Sequence, residues 1–183
     1  LQGLDKIKLH YRLARRYKQQ DADKMITHAL TGFRISSRLG DLKQKAIGLG
    51  LAGIGYSYRS KYGPAIKHVK EAIQIFRRIG DRKNVSGFLA DLGTIYQDQG
   101  ANSQALSCFL ESLKTEKQLK NEIGVARCLT NIGIIYWETK EYQKAMKSYQ
   151  DALLIAKKYN NRKGITSLLI NVGIIHFETG QYE

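Results

Sequence analysis

Proline and cysteine are almost absent from this sequence. Pro64 is the single proline among 183 residues. The two cysteines, Cys108 and Cys128, are too few for a disulfide framework and have no zinc-site spacing, so both are expected as free core thiols. No run approaches the roughly 18 consecutive apolar residues of a membrane span. No signal-peptide pattern opens the chain. The compartment is left open, with the cytoplasm favoured, because a signal, anchor or output domain would lie outside this stretch. The four histidines, His10, His28, His68 and His176, are expected in different copies, without a metal-ligand spacing such as HExxH, and His176 is expected to be a core residue. There is no P-loop and no GxGxxG. The stretch LGLAGIG at 49–55 carries glycines, but its register puts it mid-helix rather than in a phosphate cradle. Acid pairs such as Glu138 and Glu141 read as solvated turn residues. These lacks point away from an enzyme, a metal protein or a cofactor protein.

What is present is ordinary for a folded chain: 43% hydrophobic and 25% charged residues. The formal net charge is +14, but it is uneven. Residues 1–83 hold 19 Lys and Arg against 6 Asp and Glu, while residues 84–183 hold 11 against 10. A basic half beside a balanced half marks a candidate interaction surface.

The chain repeats itself every forty residues. RCLTNIGIIYWETKEYQKAMKSYQDAL (127–153) aligns with GFLADLGTIYQDQGANSQALSCFLESL (87–113), with IGLGLAGIGYSYRSKYGPAIKHVKEAI (47–73), and with the partial copy SLLINVGIIHFETGQYE (167–183). A fixed period of this size signals a repeat array. A chain that opens on Leu1 and stops early in a further copy reads as a fragment of a longer protein.

Each copy reads as two amphipathic helices. One stripe runs Ile123, Ala126, Leu129, Ile132, Gly133 and Tyr136. The next runs Tyr142, Ala145, Tyr149, Ala152, Ile155 and Ala156. A helix-interior Gly costs about 1 kcal/mol against Ala, so its recurrence at 53, 93, 133 and 173 implies a packing demand. Asp41, Asp81, Asn121 and Asn161 form a column of N-caps. The residues before them, Gly40, Gly80 and Asn160, suit a left-handed helix end, with Lys120 the exception. Gly100 and Gly180 take that role at the turn inside a copy, with Ser60 and Lys140 as departures. Pro64 falls in the first turn of a helix. The first copy is divergent, its Leu13, Ala14 and Tyr17 matching Ile132, Gly133 and Tyr136, and its internal turn around Gln20 and Asp21 one residue shorter. The pattern predicts helices near 4–18, 22–38, 43–58, 62–78, 83–98, 102–118, 123–138, 142–158 and 163–178. They form a single array over 1–183, with copies at 4–38, 43–78, 83–118 and 123–158 and a truncated one from 163.

The column Leu129, Ile132-Gly133, Tyr136, Ala145, Tyr149 and Ala152, repeated as Leu89, Leu92-Gly93, Tyr96, Ala105, Phe109 and Ser112, resembles the tetratricopeptide repeat (TPR). The usual period of that repeat is 34. Here the six extra residues fall between one pair and the next, which predicts longer helices. Forty-residue versions resemble the regulatory TPR segments of bacterial signalling proteins, such as sensor histidine kinases, nucleotide cyclases and helix-turn-helix regulators, and also the animal spindle-orientation adaptors. The basic, Ile- and Lys-rich copies are nearer the bacterial group.

The resemblance implies an all-α, right-handed superhelical solenoid of antiparallel helix pairs, whose first helices line a concave binding groove. Groove positions would be Arg127, Thr130, Asn131, Ile134, Trp137 and Glu138, then Asn171, Ile174 and Phe177, with Ala90, Asp91, Thr94, Ile54 and Tyr58 in earlier copies. In relatives that bind extended peptides, Asn in the column of Asp91, Asn131 and Asn171 bonds the peptide backbone. Trp137, Phe177 and Tyr58 are candidate apolar anchors. On the first helix Lys8, Arg12, Arg15 and Lys18, with Arg16 beside them, match Arg127, Asn131, Ile134 and Trp137 and would extend the groove with positive charge, suited to an acidic peptide or an adjacent domain. The reading is a protein- or peptide-binding module of a larger signalling protein. One alternative is a scaffold or dimerisation segment that self-associates through its uncapped last repeat. A second is nucleic-acid binding through the basic half, disfavoured because aromatics do not interleave with its cations.

Overall fold

The computed structural model describes residues 3–18 and 20–180. Among them are nine helices and no strand: α1 (Gly3–Tyr17), α2 (Ala22–Arg38), α3 (Leu42–Tyr58), α4 (Tyr62–Arg78), α5 (Arg82–Asp98), α6 (Asn102–Gln118), α7 (Glu122–Glu138), α8 (Tyr142–Lys158) and α9 (Arg162–Glu178). From α2 onward every helix has 17 residues. The expected lengthening is thus real, since two such helices and two three-residue connectors account for the forty-residue period. No helix of the described residues is long and apolar enough to cross a membrane.

The turns explain why the helices stop so regularly. All eight residues of the two turn columns have positive φ, whether glycine (Gly40, Gly80, Gly100, Gly180) or not (Ser60, Lys120, Lys140, Asn160). The expected exceptions therefore adopt the same left-handed conformation despite their Cβ. The reason is the bonding that this conformation permits. At 116–121 the Asn121 N–H reaches Glu116 O at 3.0 Å and the Lys120 N–H reaches Lys117 O at 3.1 Å, closing the helix end. The cap column follows at once: Asp41, Asp81, Asn121 and Asn161 each accept a backbone N–H three residues on. Asp21 does the same for α2, which the sequence reading did not foresee. There the shortening falls on α1 rather than on the turn. Helix α1 ends at Tyr17, whereas α7 continues two residues past the matching Tyr136.

The helices group into two compact units, Leu1–Gly100 and Ala101–Glu183. In the first, α3 is the central element and packs against α1, α2, α4 and α5. It can be central because it is nearly bare. A Cβ on Gly48 would stand 2.5 Å from the Tyr11 hydroxyl, one on Gly50 would meet the Phe88 ring at 2.0 Å, and one on Gly53 would meet Val69 at 2.6 Å. The LGLAGIG stretch is thus a packing surface inside a helix, as its register implied. Around it Phe76 and Phe88 stack at 5.4 Å, and Tyr11 donates to Gln44 O at 2.7 Å. Burial pushes the Tyr11 hydroxyl up to about 12.

In the second unit α8 packs between α7 and α9, and α6 packs on α7. Gly133 lets the Tyr149 ring lie against α7, where a Cβ would be 2.4 Å from it. Lys158 of α8 reaches Glu122 of α7 at 2.6 Å. Between α6 and α7 a polar cluster is buried: Ser112 Oγ and Cys128 Sγ are 3.2 Å apart, and Glu116 accepts from the Asn121 amide at 2.7 Å.

Four expectations fail here. Cys128 is buried but Cys108 is only half-buried. Ala90, expected on the groove, is buried. His176, expected in the core, is exposed, and a Cβ on Gly173 would have nothing within 4 Å. The matching face of α7 is covered by α8, and no described helix follows α9 to cover this one. His10 and His28 both belong to the first copy and bring their Nδ1 atoms within 3.0 Å, with Tyr17 stacked on His28. Among the described residues no group of three or more His, Cys, Asp or Glu is placed to hold a metal.

Candidate functional site

The first helix of each copy presents its non-packing face along a crevice, and the units are best taken separately. In the second unit the crevice lies between α7 and α9 over α8. It has two hollows. The larger, about 450 Å³, is lined by Ile123, Ala126, Arg127, Thr130 and Asn131 of α7, by Ile155, Ala156 and Tyr159 at the end of α8, and by Gly164, Ser167 and Leu168 of α9 with its cap Asn161. The smaller, about 190 Å³, is lined by Ile134, Trp137, Tyr149, Asn171 and Ile174.

Seven residues singled out in the sequence, Arg127, Thr130, Asn131, Ile134, Trp137, Asn171 and Ile174, therefore share one crevice. Phe177 lines neither hollow and is 69% exposed. Trp137 is half-buried against the α8–α9 core, so it is part wall and part surface. Sequence reasoning missed the floor supplied by α8 and the rim residue Ile123. Ile123 was assigned to the packing stripe, yet it is 60% exposed. The signal was available in the position of Ile123 at the start of α7, before the facing helices converge.

The polar groups of this crevice divide into spent and unspent. The Thr130 hydroxyl donates to Ala126 O at 2.9 Å, and the Asn161 side-chain oxygen holds the Gly164 N–H at 3.1 Å. Neither the Asn131 nor the Asn171 amide has a protein hydrogen bond among the described residues, and Arg127 is in none of the described ion pairs. Burial pushes the Tyr149 hydroxyl up to about 12.

In the first unit Lys8, Arg12 and Arg15 line a crevice of about 380 Å³ with Tyr11, Gln44 and Ile47. Arg15 and Lys18 line the next, about 360 Å³, with Met25, Leu51, Ile54, Phe88 and Asp91 among its walls. Arg16 is exposed and lines neither. Lys18 stands over the Tyr58 ring, 6.0 Å from its centroid, and Tyr58 is itself exposed. Thr94 is exposed and its hydroxyl donates to Ala90 O at 3.2 Å. The arrangement offers cations, amides and apolar hollows to a ligand.

The tetratricopeptide repeat family model matches residues 87–158. No protein of curated function matches the sequence. Among solved structures, the apo form of RapI is 22% identical with a TM-score of 0.83, over all of this chain and 51% of that one. A Rap protein complexed with Competence and Sporulation Factor is 18% identical with a TM-score of 0.82, again over all of this chain and 51% of that one. A signal transduction ATPase with numerous domains and a tetratricopeptide repeat sensor, from Pyrococcus horikoshii, is 18% identical with a TM-score of 0.84, over 97% of this chain and 28% of that one. The chain thus spans about half the length of the two Rap proteins and less of the ATPase. At these identities the likeness is one of fold. Residues 87–158 thus match the tetratricopeptide repeat, and the helices of the chain share the fold of solved structures that include a protein with a tetratricopeptide repeat sensor.

Proposed function

We propose that the chain is a recognition module that holds an extended peptide, or a protein segment in extended form, as the regulatory part of a larger signalling protein. The observation that carries this reading is the pair of unspent amides, Asn131 and Asn171, in one apolar crevice between α7 and α9. An amide offers both a donor and an acceptor, which is what an extended backbone needs. The fold is shared with a Rap protein complexed with Competence and Sporulation Factor and with a repeat sensor of a signalling ATPase, which supports a sensing role. The cation row of α1 suits an acidic part of the partner. A nucleic-acid backbone fits it less well, because Asp91 shares the second crevice with Arg15 and Lys18 and would repel a continuous run of phosphates.

The test is a peptide array probed with the chain and with an Asn131→Ala/Asn171→Ala double variant. Affinity should fall by about tenfold or more, the loss of one or two good hydrogen bonds, while the melting temperature stays put. Unchanged affinity overturns the reading. A second reading is self-association through α9, where Leu169, Ile170 and Phe177 are all more than half exposed. Light scattering at high concentration tests it, and a monomer would exclude it.

A further inference from the structure

The α7–α9 crevice carries more than a place for a peptide backbone. Its two hollows differ in size and in charge, and that difference is a specificity rule. This inference rests on the peptide reading above. We propose that the crevice reads two apolar side chains four residues apart on one extended peptide, the larger flanked by a carboxylate.

The larger hollow is walled by apolar groups, and two of them, Ile123 and Tyr159, stand exposed at its rim. Large apolar side chains left at the mouth of a concave site mark contact surface. Its volume of about 450 Å³ holds an aromatic side chain with room to spare. Arg127 is the only charged residue of its lining and has no ion-pair partner among the described residues. A ligand that fills this hollow and leaves Arg127 bare forgoes a charge-assisted bond, so an acidic neighbour is favoured. The smaller hollow, about 190 Å³, has no charged residue in its lining and suits a valine- or leucine-sized side chain.

The spacing follows from α7. The larger hollow is centred near position 127 and the smaller between 134 and 137. About eight residues at ~1.5 Å each place them ~12 Å apart. An extended peptide advances ~3.3 Å per residue and returns to the same face every second residue. Positions i and i+4 then span ~13 Å, whereas i and i+2 span ~7 Å and cannot reach. Asn131 lies at the divide between the hollows, beside the stretch of backbone that would cross it.

The probes are fluorescently labelled nonapeptides on a serine background with both ends blocked. The parent has Asp at position 1, on the same face as Phe at 3 and Val at 7. Companions move Val to 5 or 9, or replace Asp with Lys. Binding to the whole 183-residue chain is read by anisotropy. The parent should bind at least about tenfold tighter than either respaced peptide, and the Lys peptide should lose about tenfold. Arg127→Glu, at an exposed position, should reverse the preference between Asp and Lys. Ala126→Leu, which fills the larger hollow, should weaken the parent, with melting curves confirming that both variants fold. Indifference to spacing, or an Asp preference that survives Arg127→Glu, overturns the inference. Binding that ignores spacing but is lost in the Asn131/Asn171 double variant overturns it while leaving the proposed function standing. No binding by any peptide, here or on the array, overturns both.

Discussion

The amide of Asn121 donates to the buried carboxylate of Glu116 at 2.7 Å, while its oxygen accepts the Gly124 N–H at 3.3 Å. One side chain thus caps α7 and bonds a carboxyl group that is only 2% exposed. The cap column reads Asp, Asp, Asn, Asn along the chain, and at 121 the structure supplies a reason for the amide. Asn121→Asp would place two carboxylates together, and one of them would take a raised pKa. A carboxyl with a raised folded-state pKa contributes stability below its unfolded value and loses it as pH rises. The variant should therefore be destabilised by about 2 kcal/mol at neutral pH and recover as pH falls from neutral toward about 4, the ordinary carboxyl value. Asn161→Asp, which faces no carboxylate among its described partners, should be neutral or slightly stabilising through the helix dipole. Urea unfolding of both variants between pH 4 and 7 checks this.

Two glycines of one column should respond to alanine with opposite sign. At Gly133 the Tyr149 ring fills the space a Cβ needs, so Gly133→Ala should cost about 1–3 kcal/mol as overpacking outweighs the helix propensity gained. Gly173 has open space instead, so Gly173→Ala should stabilise by up to about 1 kcal/mol. Denaturant melts decide both. A loss at Gly173 would show that another surface covers α9 in solution.

The turns make a third prediction. Lys120 and Lys140 have φ of +53° and +62°, a conformation that costs a side-chain-bearing residue about 1 kcal/mol. Lys120→Gly and Lys140→Gly should each stabilise by about that amount, less glycine's added freedom in the unfolded chain. The sites are far apart in sequence and share no partner, so the gains should add. Thermal melts of the singles and the double test this.

Tyrosine ionisation offers a fourth check. Burial holds Tyr11 and Tyr149 up to about 12, well above the ordinary value near 10. The neutral form is the one that folding favours, so its contribution is complete below pH 10 and declines as pH rises toward 12. In an ultraviolet titration of the native chain two tyrosines should ionise late. Tyr11→Phe and Tyr149→Phe should each remove one from the late group.

Much of this fold is legible in the sequence because its determinants are short-ranged. Helix ends were within one residue of expectation nearly everywhere, since the caps and left-handed residues act over five or six positions. What escaped depends on distant partners. Lys120 and Ser60 look unfit for a left-handed turn until the backbone bonds that require it are seen. Ala90 and Ile123 changed places between wall and surface because a stripe on one helix does not say where two helices diverge. Register places the lining residues of α7 and α9 on one face, but the floor beneath them, Ile155 and Ala156 of α8 with Tyr159 just after it, was read only as packing or not at all, since only the first helices were expected to line a groove.

The bareness of α3 has a consequence for how this chain can vary. Phe88 occupies the volume that a side chain at position 50 would fill, and Tyr11 does the same at position 48. Each such pair is one parcel of space held in common by two loci. A larger residue at 50 becomes tolerable only when 88 shrinks, so a change at one position calls for a change at the other. Forty residues of regular repetition thus conceal a private arrangement, and a copy spliced in at α3 would have to bring its neighbours' dimensions with it.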